Sequence, residues 1–139
     1  MGRVLGIDYG SKRTGLAVTD PLQIIATPLE TVATPQLQKY LKAYTQSEEL
    51  EAIVIGMPKD LSNNDTHSSE AVRTFITQLK NQFKTIPIIE IDERYTSKMA
   101  FQTMIDGGLK KKDRKNKATV DKLSATIILQ SYLESKSNS

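Results

Sequence analysis

The spacing of apolar and polar positions changes along this chain, and each change marks an element. Val4 to Asp8 is a short apolar run, which predicts a buried strand. Tyr9-Gly10-Ser11-Lys12-Arg13 is a tight polar turn. Thr14 to Thr19 follows as a second strand and hairpin partner of the first. Leu29 to Val32 predicts a short third strand. Leu37, Tyr40, Leu41 and Tyr44 recur at helical spacing, which predicts a helix over about 35–48. Ala52 to Ile55 is a buried strand that stops at Gly56-Met57-Pro58, and a polar loop covers 59–66. Ala71, Val72, Phe75, Ile76, Leu79 and Phe83 mark a second amphipathic helix. Pro87 to Asp92 reads as another core strand. A helix over about 97–106 is expected next, with Thr96 as N-cap and Gly107-Gly108 as its stop. Residues 109–118 form a basic loop, expected to be mobile in the free protein. Thr119 opens a last helix to about Glu134, and 135–139 is expected to be a frayed tail.

This order, β-β-β-α-β-α-β-α-α, predicts an α/β domain: a mixed five-stranded sheet flanked by helices, with a three-strand antiparallel meander and parallel strands. Crossover connections make strands 4–8, 52–55 and 87–92 parallel to one another. Asp8, Gly56-Met57-Pro58 and Asp92-Glu93 then share the carboxyl edge of the sheet. That edge is where open α/β sheets bind ligands.

Composition narrows the class further. The chain has 139 residues, 38% hydrophobic and 25% charged, which fits one globular domain over 1–139. It has no cysteine, so disulfides and thiolate metal sites are excluded. No apolar stretch approaches the ~20 residues of a membrane span. A strand-like sequence starts almost at Met1, so no signal peptide is expected. The net charge is +3, but residues 110–117 hold six basic residues and one acidic one. The remainder has 13 basic and 15 acidic residues, a body near −2. One concentrated basic segment on a mildly acidic body points to an anionic polymer as partner, against the simpler alternative of a solvated loop.

Carboxylates gathered on one edge repel one another unless a cation or a proton is present. Mg²⁺ suits such a set, because it is a hard ion that keeps waters and accepts phosphate oxygens. Two such ions can activate a water and stabilise a leaving oxygen. Each acid also has a plainer explanation. Asp8 could cap the turn after its strand. Glu93 could be an exposed turn residue paired with Arg94. Asp121, in the first turn of the last helix, could simply complement the helix dipole. The single histidine, His67, falls in the polar loop, which leaves a Ser-His-Asp arrangement without support.

Four segments resemble one family. Asp8-Tyr9-Gly10-Ser11-Lys12-Arg13-Thr14-Gly15-Leu16-Ala17-Val18 resembles the opening signature of the YqgF (RuvX) family. Gly56-Met57-Pro58 resembles its second motif, and Asp92-Glu93-Arg94-Tyr95-Thr96-Ser97 its third. Val120-Asp121-Lys122-Leu123-Ser124-Ala125 and Ile127 to Leu133 resemble its last helix. One segment departs: the loop Lys59 to Thr66 has no glycine where the family carries one. Asn63 or Asn64 can still adopt the left-handed backbone of a turn.

The resemblance implies an RNase H-like fold, as in Holliday-junction resolvases of the RuvC type. It implies a bacterial cytoplasmic nuclease that processes the 5′ end of pre-16S rRNA. By position it implies a catalytic and metal-binding triad of Asp8, Glu93 and Asp121, holding Mg²⁺ or Mn²⁺, with two ions when substrate is bound. Lys12, Arg13 and Arg94 lie beside the acidic edge, and with Lys110, Lys111 and Lys112 they are the expected phosphate contacts. The expected partner is nucleic acid, as pre-16S rRNA or branched DNA, with the protein a monomer or weak homodimer and no membrane involved. Three other functions compete: a four-way DNA junction resolvase, a regulatory nucleic-acid-binding protein with little catalysis, and a phosphotransferase of the actin and sugar-kinase superfold. The last needs two such domains around ATP, and one is visible.

Overall fold

The computed structural model describes residues 2–57, 67–92 and 117–137. β1 (Arg3–Asp8), β2 (Arg13–Thr19) and β3 (Ala26–Ala33) form the meander. A 3₁₀ turn (Thr34–Gln36) leads into α1 (Leu37–Ser47). Then come β4 (Leu50–Met57), α2 (His67–Gln82), β5 (Ile88–Asp92) and α3 (Lys117–Ser137). The five strands make one sheet in the order β3-β2-β1-β4-β5. β1 pairs antiparallel with β2 and parallel with β4, and β4 pairs parallel with β5. The expected α/β class and mixed topology are therefore present, and Asp8, Met57 and Asp92 end their strands on one edge.

The strands' two-residue alternation sorts the core into two layers. Leu5, Ile7, Leu16, Val18, Ile53, Ile55 and Met57 pack against Leu37 and Leu41 of α1 and Val72, Phe75, Ile76 and Leu79 of α2. Val4, Ala17, Ala52 and Val54 face the other way, onto Ala125, Ile128 and Leu129 of α3. Burying a side chain such as Ile128 or Leu129 contributes about 1.5–3 kcal/mol. The α3 face of the sheet is built of small residues, so this helix lies close. A Cβ on Gly6 would stand 2.9 Å from the Leu129 Cβ and 3.0 Å from the Ala125 carbonyl. Glycine inside a strand marks such a close approach.

Several elements run longer than periodicity alone predicts. β3 begins at Ala26, because pairing with β2 carries the strand past the apolar core of the segment. α2 begins at His67, so His67 is a helical residue and the polar loop ends before it; Glu70 sits in that first turn, where the helix dipole favours an acid. α3 starts at Lys117 and reaches Ser137, so 135–137, expected in a frayed tail, are helical, and the Lys136 Nζ donates to the Gln23 side-chain oxygen at 3.1 Å. The expected helix over 97–106 and residues 109–116 of the basic loop lie outside the described residues; Lys117 and Ala118, expected in that loop, are helical.

The β2–β3 connection is tightly held. The Asp20 carboxylate accepts backbone N–H bonds from Leu22, Ile24 and Ile25 at 3.1, 2.8 and 2.8 Å. Gln23 takes a left-handed backbone conformation, φ 58°. Its side-chain amide reaches the Gly2 carbonyl at 2.9 Å and also the Glu51 carboxylate.

Candidate active site

The turn that follows Asp8 is rigidly braced. The Thr34 hydroxyl donates to the Gly10 carbonyl at 2.5 Å and, with its hydrogen so used, accepts from the Thr14 hydroxyl at 3.0 Å. The Thr34 backbone N–H donates to the Lys12 carbonyl at 3.0 Å. Ser11 and Lys12 are left exposed at the tip, on the same edge as Asp8. Thr34, a residue that local pattern does not single out, is what ties the end of β3 to this turn.

Asp8 and the backbone of Asp121 are both neighbours of one glycine. Asp8 is directly opposite Gly15 in the β1–β2 register, so the two share a face of the sheet. That is the α3 face, since Val4 and Ala17 lie on it. A Cβ on Gly15 would overlap the Asp121 backbone carbonyl of α3. The backbone of Asp121 therefore rests on β2 beside Asp8. Both aspartates are half-buried.

Arg13, at the start of β2, completes the arrangement. Its Nε donates to the Asp121 Oδ2 at 2.5 Å, with the Arg13 side chain 39% exposed and that of Asp121 21% exposed. Arg13 thus engages an acid of the expected site, where the sequence pointed it toward phosphate. Asp121 is the fifth residue of α3, beyond the first turn. This disfavours its alternative role as a partner of the helix dipole, which acts within the first turn.

The structure brings Asp8, Asp121, Arg13 and the exposed Lys12 to one edge. Glu93 and Arg94 follow directly on β5 but lie outside the described residues, as do Lys110, Lys111, Lys112 and the loop Lys59 to Thr66. The described acids offer hard carboxylate oxygens, the donor type that suits Mg²⁺ or Mn²⁺. Spacing alone did not show how closely α3 would approach. Gly6 and Gly15, two residues of strand interior that a packed surface disfavours, were the available signal.

A mixed five-stranded sheet with acids at the carboxyl edge, one of them supplied by the last helix, defines an RNase H-like α/β domain. The comparisons narrow this. The sequence profile of RuvX, described as Holliday junction resolvase, matches residues 2–135, and the chain belongs to that family. It is 54% identical over 136 residues to a protein of Phocaeicola vulgatus provisionally named as a pre-16S rRNA nuclease, covering 98% of each chain. It is 52% identical to a Flavobacterium johnsoniae protein of the same name, covering 98% of this chain and 99% of the relative. Among solved structures, Thermus thermophilus RuvC in complex with a Holliday junction superposes with a TM-score of 0.61 at 15% identity, over 100% of this chain and 98% of the other. At that identity the likeness shows the fold. No helix among the described residues is long and apolar enough to cross a membrane.

Proposed function

We propose that this chain is a metal-dependent endonuclease that hydrolyses phosphodiester bonds in structured nucleic acid, with the 5′ end of pre-16S rRNA as its substrate. One observation carries the reading: Asp8 faces Gly15 across the hairpin, and the backbone of Asp121 is seated on that same glycine. Two acids far apart in sequence are held on one face at the ligand-binding edge, and their carboxylate oxygens are the donor type that a hard divalent cation takes. The family relatives at about half identity support the RNA substrate.

In this reading Asp8, Asp121 and Glu93 hold Mg²⁺ or Mn²⁺. Ile89 and Ile91 of β5 belong to the α3 side of the core, and Glu93 follows β5 in the sequence. The ion supplies an activated water and charge stabilisation at the leaving oxygen when bound. The chain's own groups position the substrate. Lys12 projects from a braced turn and meets phosphate oxygens. Arg13 keeps Asp121 in place and offers its remaining N–H groups to phosphate. Arg94 and the 110–112 lysines add further phosphate contacts.

The test is incubation of the purified chain with a pre-16S 5′-flanked RNA and with a four-way DNA junction, each in Mg²⁺, Mn²⁺ or EDTA. Metal-dependent cleavage of the RNA, with the junction left intact, is the expected result. The description of the matching family favours the junction as second reading. Cleavage of the junction alone would establish it, and failure to cut either substrate would remove the nuclease assignment.

A further inference from the structure

A second site lies across the sheet from the acids. Asp8 belongs to the α3 face, while Tyr9, the next residue, packs with the α1–α2 layer. There it helps to line a cavity of about 290 Å³ that reaches Ser11 and Thr34 on one side and Gln38 and Gln78 on the other. The volume lies just under the roughly 300–1,000 Å³ of small-ligand sites, and the cavity is widely open to solvent. The floor is aromatic: Tyr9 is half-buried and stacks on the buried Phe75 with ring centroids 4.6 Å apart. The rim is neutral and polar. The Gln38 Nε2 donates to the Gln78 Oε1 at 2.9 Å, which uses one polar atom of each amide. The Gln38 Oε1 and the Gln78 Nε2 take no part in that bond, so the pair offers both an acceptor and a donor. The Gln82 side-chain amide in turn donates to the Gln38 backbone carbonyl at 3.2 Å and fixes the α1 end of the pair.

Among the described residues, those that line this cavity are neutral. An aromatic floor under paired amides suits a neutral planar ring with a hydrogen-bonding edge. We infer that this cavity receives one unpaired base of the nucleic-acid strand, flanking the phosphate that Lys12 meets at the Asp8 edge. The inference rests on the nuclease reading for the direction of the strand. Only the braced Gly10–Lys12 turn separates the two sites, so a strand crossing that edge presents a phosphate to one face and a base to the other. Recognition of single-stranded nucleic acid by stacking on aromatic rings with hydrogen bonds to the base edge is the corresponding chemistry. The site therefore selects an unpaired nucleotide next to the cut.

The experiment is an abasic scan. Single-stranded RNAs of about twelve nucleotides, each with one abasic position, are titrated against the full chain in EDTA, so that binding is read apart from cleavage. Loss of one base is expected to weaken binding by about 5- to 150-fold at a single position, the worth of one base–aromatic stack. In the Gln38→Ala/Gln78→Ala double variant, which alters only exposed side chains, and in Tyr9→Leu, that one penalty should shrink several-fold while the other positions respond as in the wild type. A scan without a dominant position, or a dominant penalty that survives in both variants, overturns the proposal. Titration with the four nucleosides separates the two sources of a base: saturation below millimolar concentration would make this a free-nucleoside site and overturn the strand assignment. An abasic signature without metal-dependent cleavage leaves the cavity assigned and removes the nuclease, and cleavage without the signature does the reverse.

Discussion

Arg13 and Asp121, 108 residues apart, are joined by a 2.5 Å hydrogen bond between guanidinium and carboxylate where β2 meets α3. The pair locks the acid of the last helix to the first hairpin. It also places a fixed positive charge where a divalent cation would be drawn. Replacing Arg13 with Gln is expected to tighten Mn²⁺ binding several-fold, measured by calorimetry in the absence of nucleic acid. The cost to stability should stay below about 1 kcal/mol, because the pair is partly exposed to solvent. Unchanged or weaker Mn²⁺ binding would show that the Arg13 charge does not compete for this site.

Asp8→Asn tests the acidic site itself. The substitution keeps the size of the side chain and removes one negative charge. Cleavage should fall by at least about a hundredfold, beyond the 10–100-fold typical of a residue that only supports a metal ligand. The variant should keep cooperative thermal unfolding and a native far-ultraviolet spectrum. Activity at the wild-type level would remove Asp8 from the catalytic set.

Gly15→Ala tests how α3 is seated. The added methyl would overlap the Asp121 carbonyl, and this obstacle is backbone, which cannot swing aside. The helix must shift, at a cost of about 1–3 kcal/mol as in other overpacked cores. Because Asp121 moves with it, cleavage should drop further than stability does. Gly6→Ala, which meets Leu129 and Ala125 further along the helix, should cost stability with a smaller effect on cleavage. Denaturant midpoints and single-turnover rates for the two variants separate these effects.

The basic run gives a salt-dependence prediction. Each phosphate neutralised on single-stranded nucleic acid adds about −0.7 to the slope of log affinity against log salt. Replacing Lys110, Lys111 and Lys112 with Ser should therefore flatten the slope by about two units if all three make contact. Cleavage at saturating substrate should change much less than affinity. An unchanged slope would assign the run to solvent.

Acid stability should depend on Asp20. Hydrogen bonds from the backbone, that from Ile25 foremost, hold its carboxyl below the ordinary value of 3.8. A depressed folded-state value means that the stabilisation is present above the unfolded value and is lost as pH falls through the folded one. Asp20→Asn should therefore flatten the loss of stability below about pH 4. An acid limb as steep as the wild type's would show that the turn is held by other contacts.

Local pattern along the chain was enough for the sheet and much of the edge. The apolar run from Val4, the helical spacing from Leu37 to Tyr44 and the crossover rule placed three parallel strands and brought Asp8 and Asp92 to one edge. These features depend on neighbours within a few residues, where backbone periodicity acts. The resemblance of the Asp8 and Asp121 segments to family motifs added the candidate acids. Tertiary structure decided how those acids are held. Nothing near Arg13 in sequence shows that its guanidinium reaches Asp121 at a range of 108 residues. Nor does any pattern show that Thr34 braces the Gly10 turn, or that Gln38 and Gln78 meet over the Tyr9–Phe75 stack. Such pairings arise only when α3 settles onto the bare backbone of Gly15 and when α1 and α2 pack side by side. Their contact depends on how closely two surfaces approach, and each segment's own periodicity reports only which face it turns inward.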